Sequence, residues 1–262
     1  MTCHRLIAFD LDGTLLAPDG ALPDDVRQFV LEISRSARVT IATGRSLASA
    51  RPYMEELKVR TPVVIYHGAV VYDPVQARPL RELHIPGREA RRAFATAQRL
   101  PVHPQIYRAV DDPTVYTPRI TPPIEAFVSN ENLRAEEVPN PDALLSTGPL
   151  KLLFIGEPDI IPDLIATLRE SVPEVTTVRA ARNYVEVLPP GISKGDGLAW
   201  LCDHLGIPLS LTVAVGDQES DRDMIERAGL GVAMMEGDPA IRSHAQVVVK
   251  SVIELRDLLD LR

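Results

Sequence analysis

Short apolar runs alternating with one-faced helical stretches constrain this chain more than any other feature. "LIAF" (6–9), "RVTIAT" (38–43) and "PVVIYHG" (62–68) read as strands. Between the first two, Val26, Phe29, Val30 and Ile33 fall at i, i+3, i+4 and i+7, one apolar helix face. Leu47, Ala50, Met54 and Leu57 mark a second helix. Buried strands separated by amphipathic helices imply a parallel sheet with helices packed on its faces. The last third resumes the rhythm: a helix over about 193–205 with Leu198, Leu201 and Leu205, then "LTVAVGD", a helix near 220–228, "GVAM", a helix near 238–245, "VVV" and a closing helix.

The middle breaks the pattern. From about 81 to 188 the chain is richer in Pro and in Thr/Val/Tyr stretches ("PQIYRAV", "PTVYTP", "VTTVRA", "NYVEVL"), with clear helices only near 87–99 and 159–171. This predicts an α/β core from residues 1–81 and 189–262, with an α+β module inserted over 82–188. The basic cluster "GREARRAF" is read as a solvated helix face of that module.

A chain of 262 residues with 45% apolar and 24% charged residues can bury a sizeable core. Its net charge of −8 argues against a nucleic-acid surface, which needs a basic stripe. An acidic protein that handles anions instead needs a local cation. Two cysteines, Cys3 and Cys202, have no partner at metal-ligand spacing and are read as reduced thiols. No run reaches membrane-spanning length, and the apolar run at the N-terminus is short for a signal peptide, so the expectation is a cytoplasmic protein.

In such a sheet, ligands bind where the strands end. "FDLDGTLL" places Asp10 at the end of the first strand and Asp12 in the turn that Gly13 permits. "ATGR" brings Thr43 and Gly44 to the end of the second, where a hydroxyl and backbone N–H groups can hold phosphate oxygens. In "GISKGDG", Ser193 is a candidate N-cap and Lys194 can point an ammonium into the same crevice. "GDQESDRDM" adds Asp217 and, one helical turn on, Asp221. Taken singly, each has a plainer reading: Asp-Gly and Thr-Gly are turn formers, and a lone lysine is usually solvated. Together, four carboxylates without a cation are untenable. Hard oxygen ligands of this kind suit Mg²⁺.

The order Asp-x-Asp, Thr-Gly, Lys, Asp-x-x-x-Asp resembles the haloacid dehalogenase superfamily of phosphohydrolases, and more closely its Cof-type branch (subclass IIB), over nearly the whole chain. The resemblance implies a Rossmannoid α/β core with an inserted α+β cap that closes over a small phosphorylated metabolite. It implies that Asp10 is the nucleophile and that Asp12 is the general acid and base. Thr43, Gly44 and Lys194 would hold the phosphate. The metal would be held by Asp10, the Asp12 carbonyl and Asp217, with Asp221 as a ligand or an anchor behind them.

Three loops depart from the family pattern. His67 replaces Asn in the "NGA" after the third strand, Ser220 replaces the Asn of "GDxxND", and Met235-Glu236-Gly237 stands where "GNA" is expected. With Arg45 and Gly68, His67 and Ser220 are candidate substrate contacts, so the resemblance implies a preference unlike that of the common sugar phosphatases. A phosphomutase and a non-catalytic phosphate-binding protein are the alternative functions. His84, His103, His204 and His244 are scattered without metal spacing, and "GLGVAM" lacks the third glycine of a dinucleotide loop.

Overall fold

Every residue of β1 (Leu6–Phe9) is buried, as an unbroken apolar run requires of a strand covered on both faces. The computed structural model describes residues 5–258. After β1 come α1 (Asp24–Ile33), β2 (Arg38–Ile41), α2 (Leu47–Glu56), β3 (Val63–Ile65), β4 (Val70–Asp73) and β5 (Arg78–Glu82). Next are α3 (Gly87–Ala97), β6 (His103–Tyr107), β7 (Thr114–Thr117), α4 (Pro122–Asn130), β8 (Arg134–Glu137), α5 (Asp142–Ser146), β9 (Lys151–Ile155), α6 (Ile161–Ser171), β10 (Thr176–Ala181) and β11 (Tyr184–Leu188). The chain closes with α7 (Lys194–Leu205), β12 (Thr212–Gly216), α8 (Arg222–Arg227), β13 (Leu230–Met234), α9 (Pro239–Arg242), β14 (Val247–Val249) and α10 (Leu255–Leu258).

The backbone groups into two compact units. One is the chain up to Gly44, Ala50–Arg81 and the chain from Ser193 on; the other is Arg45–Ser49 with Glu82–Ile192. In the first, five parallel strands run in the order β14-β13-β12-β1-β2. Leu6 pairs with Thr212 on one side and Arg38 on the other, so β1 is central. The predicted face of α1 is the buried one: Val26, Phe29, Val30 and Ile33, each contributing about 1.5–3 kcal/mol by leaving water. Leu198, Leu201 and Cys202 of α7 pack with Leu6, Ala8 and Ala214 beneath them.

The third predicted strand is shorter than "PVVIYHG". It ends at Ile65, and Tyr66–Gly68 form a 3-10 turn. A single parallel bridge, Ala42 to Val64, ties it to the end of β2. Its main partner is antiparallel β4, in a three-stranded sheet β3-β4-β5. The sequence reading had no β4 or β5.

The second unit is a six-stranded sheet, β10-β11-β9-β6-β7-β8, antiparallel except where β7 meets β8. Ile106, Leu152, Phe154, Val185 and Val187 pack against Ala90, Ala93 and Phe94 of α3 and Leu164 and Leu168 of α6. Those are the two helices predicted. The structure adds α4 and α5, which periodicity did not mark. The fold class expected, α/β with a parallel sheet plus an α+β module, is the one observed. Cys202 is a buried free thiol, whereas Cys3 lies outside the described residues.

Candidate active site

Parallel strands end at one edge, and Asp10, Thr43 and Asp217 are the residues there: Asp10 just beyond β1, Asp217 just beyond β12, Thr43 two residues past β2. The Asp10 amide donates to the Val215 carbonyl at 3.0 Å, which continues the ladder and fixes where its carboxylate emerges. Asp10 and Asp217 are 3% and 4% exposed, and Asp221 is fully buried. Oxygens of these three carboxylates lie within 4.8 Å of one another.

Lys194 sits among them. Its Nζ donates to Asp10 Oδ1 at 2.7 Å and to Asp221 Oδ1 at 2.6 Å. The lysine is placed by its own helix start. Ser193 is the N-cap of α7, and its Oγ accepts from the Asp196 amide at 2.9 Å. The same hydroxyl donates to Asp223, so α8 pins the start of α7. Asp221 Oδ2 accepts from the amides of Asp217 and Gln218, both at 3.0 Å. With both oxygens engaged by protein donors, Asp221 organises the loop and the lysine. Asp217 is engaged likewise, its Oδ1 by Thr14 and its Oδ2 by Gln218.

The charge does not balance: three carboxylates face one ammonium. Burial first, and then the charge of Asp221, hold the Asp10 carboxyl well above its ordinary range, with Lys194 pulling the other way. Asp217 is pushed up to about 6, chiefly by burial and by Asp221, against a hydrogen bond from Gln218. Burial would lower Lys194, but Asp10 and Asp221 outweigh it and the lysine is raised and stays charged. The cluster therefore suits a divalent cation: hard anionic oxygens in excess, in a buried site, at carboxyls that ionise poorly without one.

Asp12 is exposed two residues beyond Asp10, and its carboxylate lies outside the three-carboxylate cluster. Gly13 turns the chain just after Asp12 with φ +81°, and a Cβ there would collide with the Asp217 carboxylate. Thr43 is buried, and its carbonyl accepts from the His67 amide at 3.0 Å. His67 itself is buried, with its ring against the α-carbon of Gly44, where a side chain would strike it. Tyr66, His67 and Gly68 all have positive φ, at 50°, 53° and 101°. Asn and His tolerate that conformation better than most residues. The His67 substitution therefore keeps the turn while changing its chemistry.

Ser220 is half-buried in the 3-10 turn before α8. The Met235–Gly237 turn leans on Asp217, whose carbonyl accepts from the Asp238 amide at 2.7 Å. Arg45 is brought to Glu131 at 3.2 Å and to Ser49 at 2.9 Å. Three residues escaped the sequence reading: Thr14, whose Oγ1 donates to Asp217 at 3.4 Å, Gln218, whose Nε2 donates to it at 2.8 Å, and Asp223. Only Asp223, the second aspartate of "DRDMI" and two residues past Asp221, carried a signal, as a further acid beside a helix start.

Comparison with known proteins shows the family of this chain. Residues 7–254 match the family described as haloacid dehalogenase-like hydrolase. The chain is 28% identical over 246 residues to the 5-amino-6-(5-phospho-D-ribitylamino)uracil phosphatase of Bacillus subtilis, covering 92% of this chain and 90% of that one. It is 29% identical over 249 residues to the HMP-PP phosphatase of Serratia proteamaculans, covering 92% and 87%. A haloacid dehalogenase-like hydrolase from Bacteroides thetaiotaomicron has the same fold, with a TM-score of 0.86 over 98% of this chain and 99% of that one at 20% identity. No helix among the described residues is long and apolar enough to cross a membrane.

Proposed function

Because the chain belongs to the haloacid dehalogenase-like hydrolases, we propose that it is a Mg²⁺-dependent phosphatase that hydrolyses a small phosphate monoester through an aspartyl-phosphate. The observation that carries this is the buried contact of Lys194 with both Asp10 and Asp221, at 2.7 and 2.6 Å, beside a third carboxylate. Relatives named for a phosphoribitylamino-uracil and for HMP-PP support a small phosphorylated metabolite as substrate class. The domain roles follow the same reading, with the catalytic core over 1–81 and 189–262 and the inserted unit over 82–188 choosing the leaving group.

With Lys194 on Oδ1, Asp10 attacks phosphorus through Oδ2. A P–O bond forms as the bond to the leaving oxygen breaks, and Asp12 gives that oxygen its proton. Asp12 then takes a proton from water, whose oxygen attacks phosphorus and releases inorganic phosphate and the Asp10 carboxylate. Thr43 and the Gly44 amide hold phosphoryl oxygens, and Lys194 offsets their charge. Mg²⁺ held by Asp10, the Asp12 carbonyl and Asp217 would supply the remaining positive charge. Asp221 positions Lys194 and the 217–221 loop. His67, Gly68, Ser220 and Arg45 tune substrate preference away from that of the common sugar phosphatases. The same reading places the protein in the cytoplasm, where Cys202, a buried free thiol, stays reduced.

The test is a screen of phosphorylated metabolites for phosphate release with Mg²⁺ and after chelation, on wild type and Asp10→Asn. Release that needs both Mg²⁺ and Asp10 is expected. Activity surviving thorough chelation would remove the metal, and an active Asp10→Asn protein would remove the nucleophile.

A further inference from the structure

At the edge of the parallel sheet where the strands begin, opposite the carboxylates, lies a cavity of about 1110 Å³. Arg5, Arg35, Arg38, Lys58 and Arg60 line it, with Asp73 as the one acidic residue of its wall. The chain has 36 acidic and 28 basic residues, so this concentration of cations runs against its composition.

Strand register holds two of them side by side. Arg5 precedes β1, Arg38 opens β2, and the Arg38 amide donates to the Arg5 carbonyl at 3.1 Å. Arg35 lies between α1 and β2, and Lys58 and Arg60 between α2 and β3. Among the described residues, none of the five side chains has an ion pair or hydrogen bond. Asp73 forms no ion pair with them among the described residues, and its Oδ1 accepts from the amides of Val75 and Gln76 at 2.8 and 3.0 Å. Gathered like charges raise the energy of a surface until an anion joins them.

The plainer account is that these cations complement the carbonyl ends of helices. The last turns of α1 and α2 carry no basic residue, and Arg5 and Arg38 belong to strands, whose net dipole is small. Lys58, at φ +52° just past α2, and Arg35, just past α1, do fit that account, but Arg5, Arg38 and Arg60 do not. His204 lines the same cavity and stacks on Trp200, with ring centres 5.2 Å and planes 9° apart.

We propose that this cavity binds a compact polyanion of small-molecule size, carrying two or more linked phosphoryl groups, at a site separate from Asp10. Its volume, about 1110 Å³, lies just above the range for small-molecule sites, roughly 300–1,000 Å³. The proposal holds whether or not the catalytic reading does.

The test is calorimetric titration of inorganic triphosphate, and in parallel ATP, into the Asp10→Asn protein in EDTA, where the uncompensated carboxylates repel anions from the other edge. One saturable site is expected. Arg38→Ala with Arg60→Ala weakens it by at least about tenfold, the scale of one charge-assisted hydrogen bond. Lys58→Gly weakens it while leaving the melting temperature equal or higher, which separates lost binding from lost fold. ATP binding more tightly than triphosphate assigns a nucleoside to the His204 side, and equal affinities assign the site to phosphoryl groups alone. No saturable binding at millimolar triphosphate, or binding untouched by these substitutions, overturns the proposal.

Discussion

Lys151 and Lys194 are each 3% exposed, yet they sit in opposite electrostatic surroundings. Lys151, in the second unit, meets Glu186 at 2.8 Å, with its Nζ 4.6 Å from the centre of the Tyr107 ring. There the lysine meets a carboxylate and an aromatic face. Lys194, in the first unit, serves two carboxylates with a third alongside. A balanced buried pair is a packing arrangement that apolar residues of similar volume can often replace. An unbalanced one raises the pKa of its own carboxyls, and so marks a place that expects charge from outside.

The widest gap between the two sites should appear in turnover. Asp10→Asn is expected to reduce phosphate release by at least about 10³-fold, and Lys194→Met by about 10²–10³-fold. Lys151→Met should leave release within about threefold once the protein is folded, because ordinary packing changes act on stability first. Equal losses at the two lysines in a phosphate-release assay would erase the distinction.

Stability should show the converse. Lys151→Met alone removes the ammonium that Glu186 meets and is expected to cost about 3–5 kcal/mol, while Lys151→Met with Glu186→Leu returns close to wild type. Denaturant unfolding of the three proteins measures this, and a double variant as weak as the single one would make the pair more than packing.

A smaller effect concerns pH. The Asp10 and Asp217 carboxyls protonate more readily folded than unfolded. Stability from this source is therefore complete below their ordinary range and lost as pH rises through about 6 at Asp217. In EDTA, melts between about pH 4 and 7 should register about 2–3 kcal/mol from Asp217. Saturating Mg²⁺ should flatten the dependence, and Asp217→Asn should remove this contribution. The smallest change expected is Ser193→Ala, which removes the cap that places Lys194 and should cost about 1 kcal/mol, read as a small drop in melting temperature.

The elements legible in the sequence were those whose burial is one-sided and regular. The α1 face and the β1 run are examples, because one period of side chains meets one core. α4 was missed since Pro122 and Pro123 begin it and only Ile124 and Phe127 are buried. β9 was missed because "KLLFI" opens on a lysine that is itself buried. β3 was overdrawn because "YHG" continues an apolar run but turns left-handed. At the site, residues directly at strand ends were readable. Thr14 and Asp223 act through contacts spanning 203 and 30 residues that no local spacing encodes, while Gln218 turns back onto its own neighbour Asp217.

By itself the sequence determined which residues stand at the ends of the strands, because apolar periodicity sets strand and helix and the strands' ends carry Asp10, Thr43 and Asp217. It also led to the expectation that four acids and one lysine share one crevice, of which the structure gathers the carboxylates of Asp10, Asp217 and Asp221 around Lys194. Only the tertiary structure decided which carboxylates share an interior, that Lys194 bridges Asp10 and Asp221, and that five cations meet at the other edge. Charge balance is a property of distances between segments remote in the chain, and distances exist only once the sheet has brought them together.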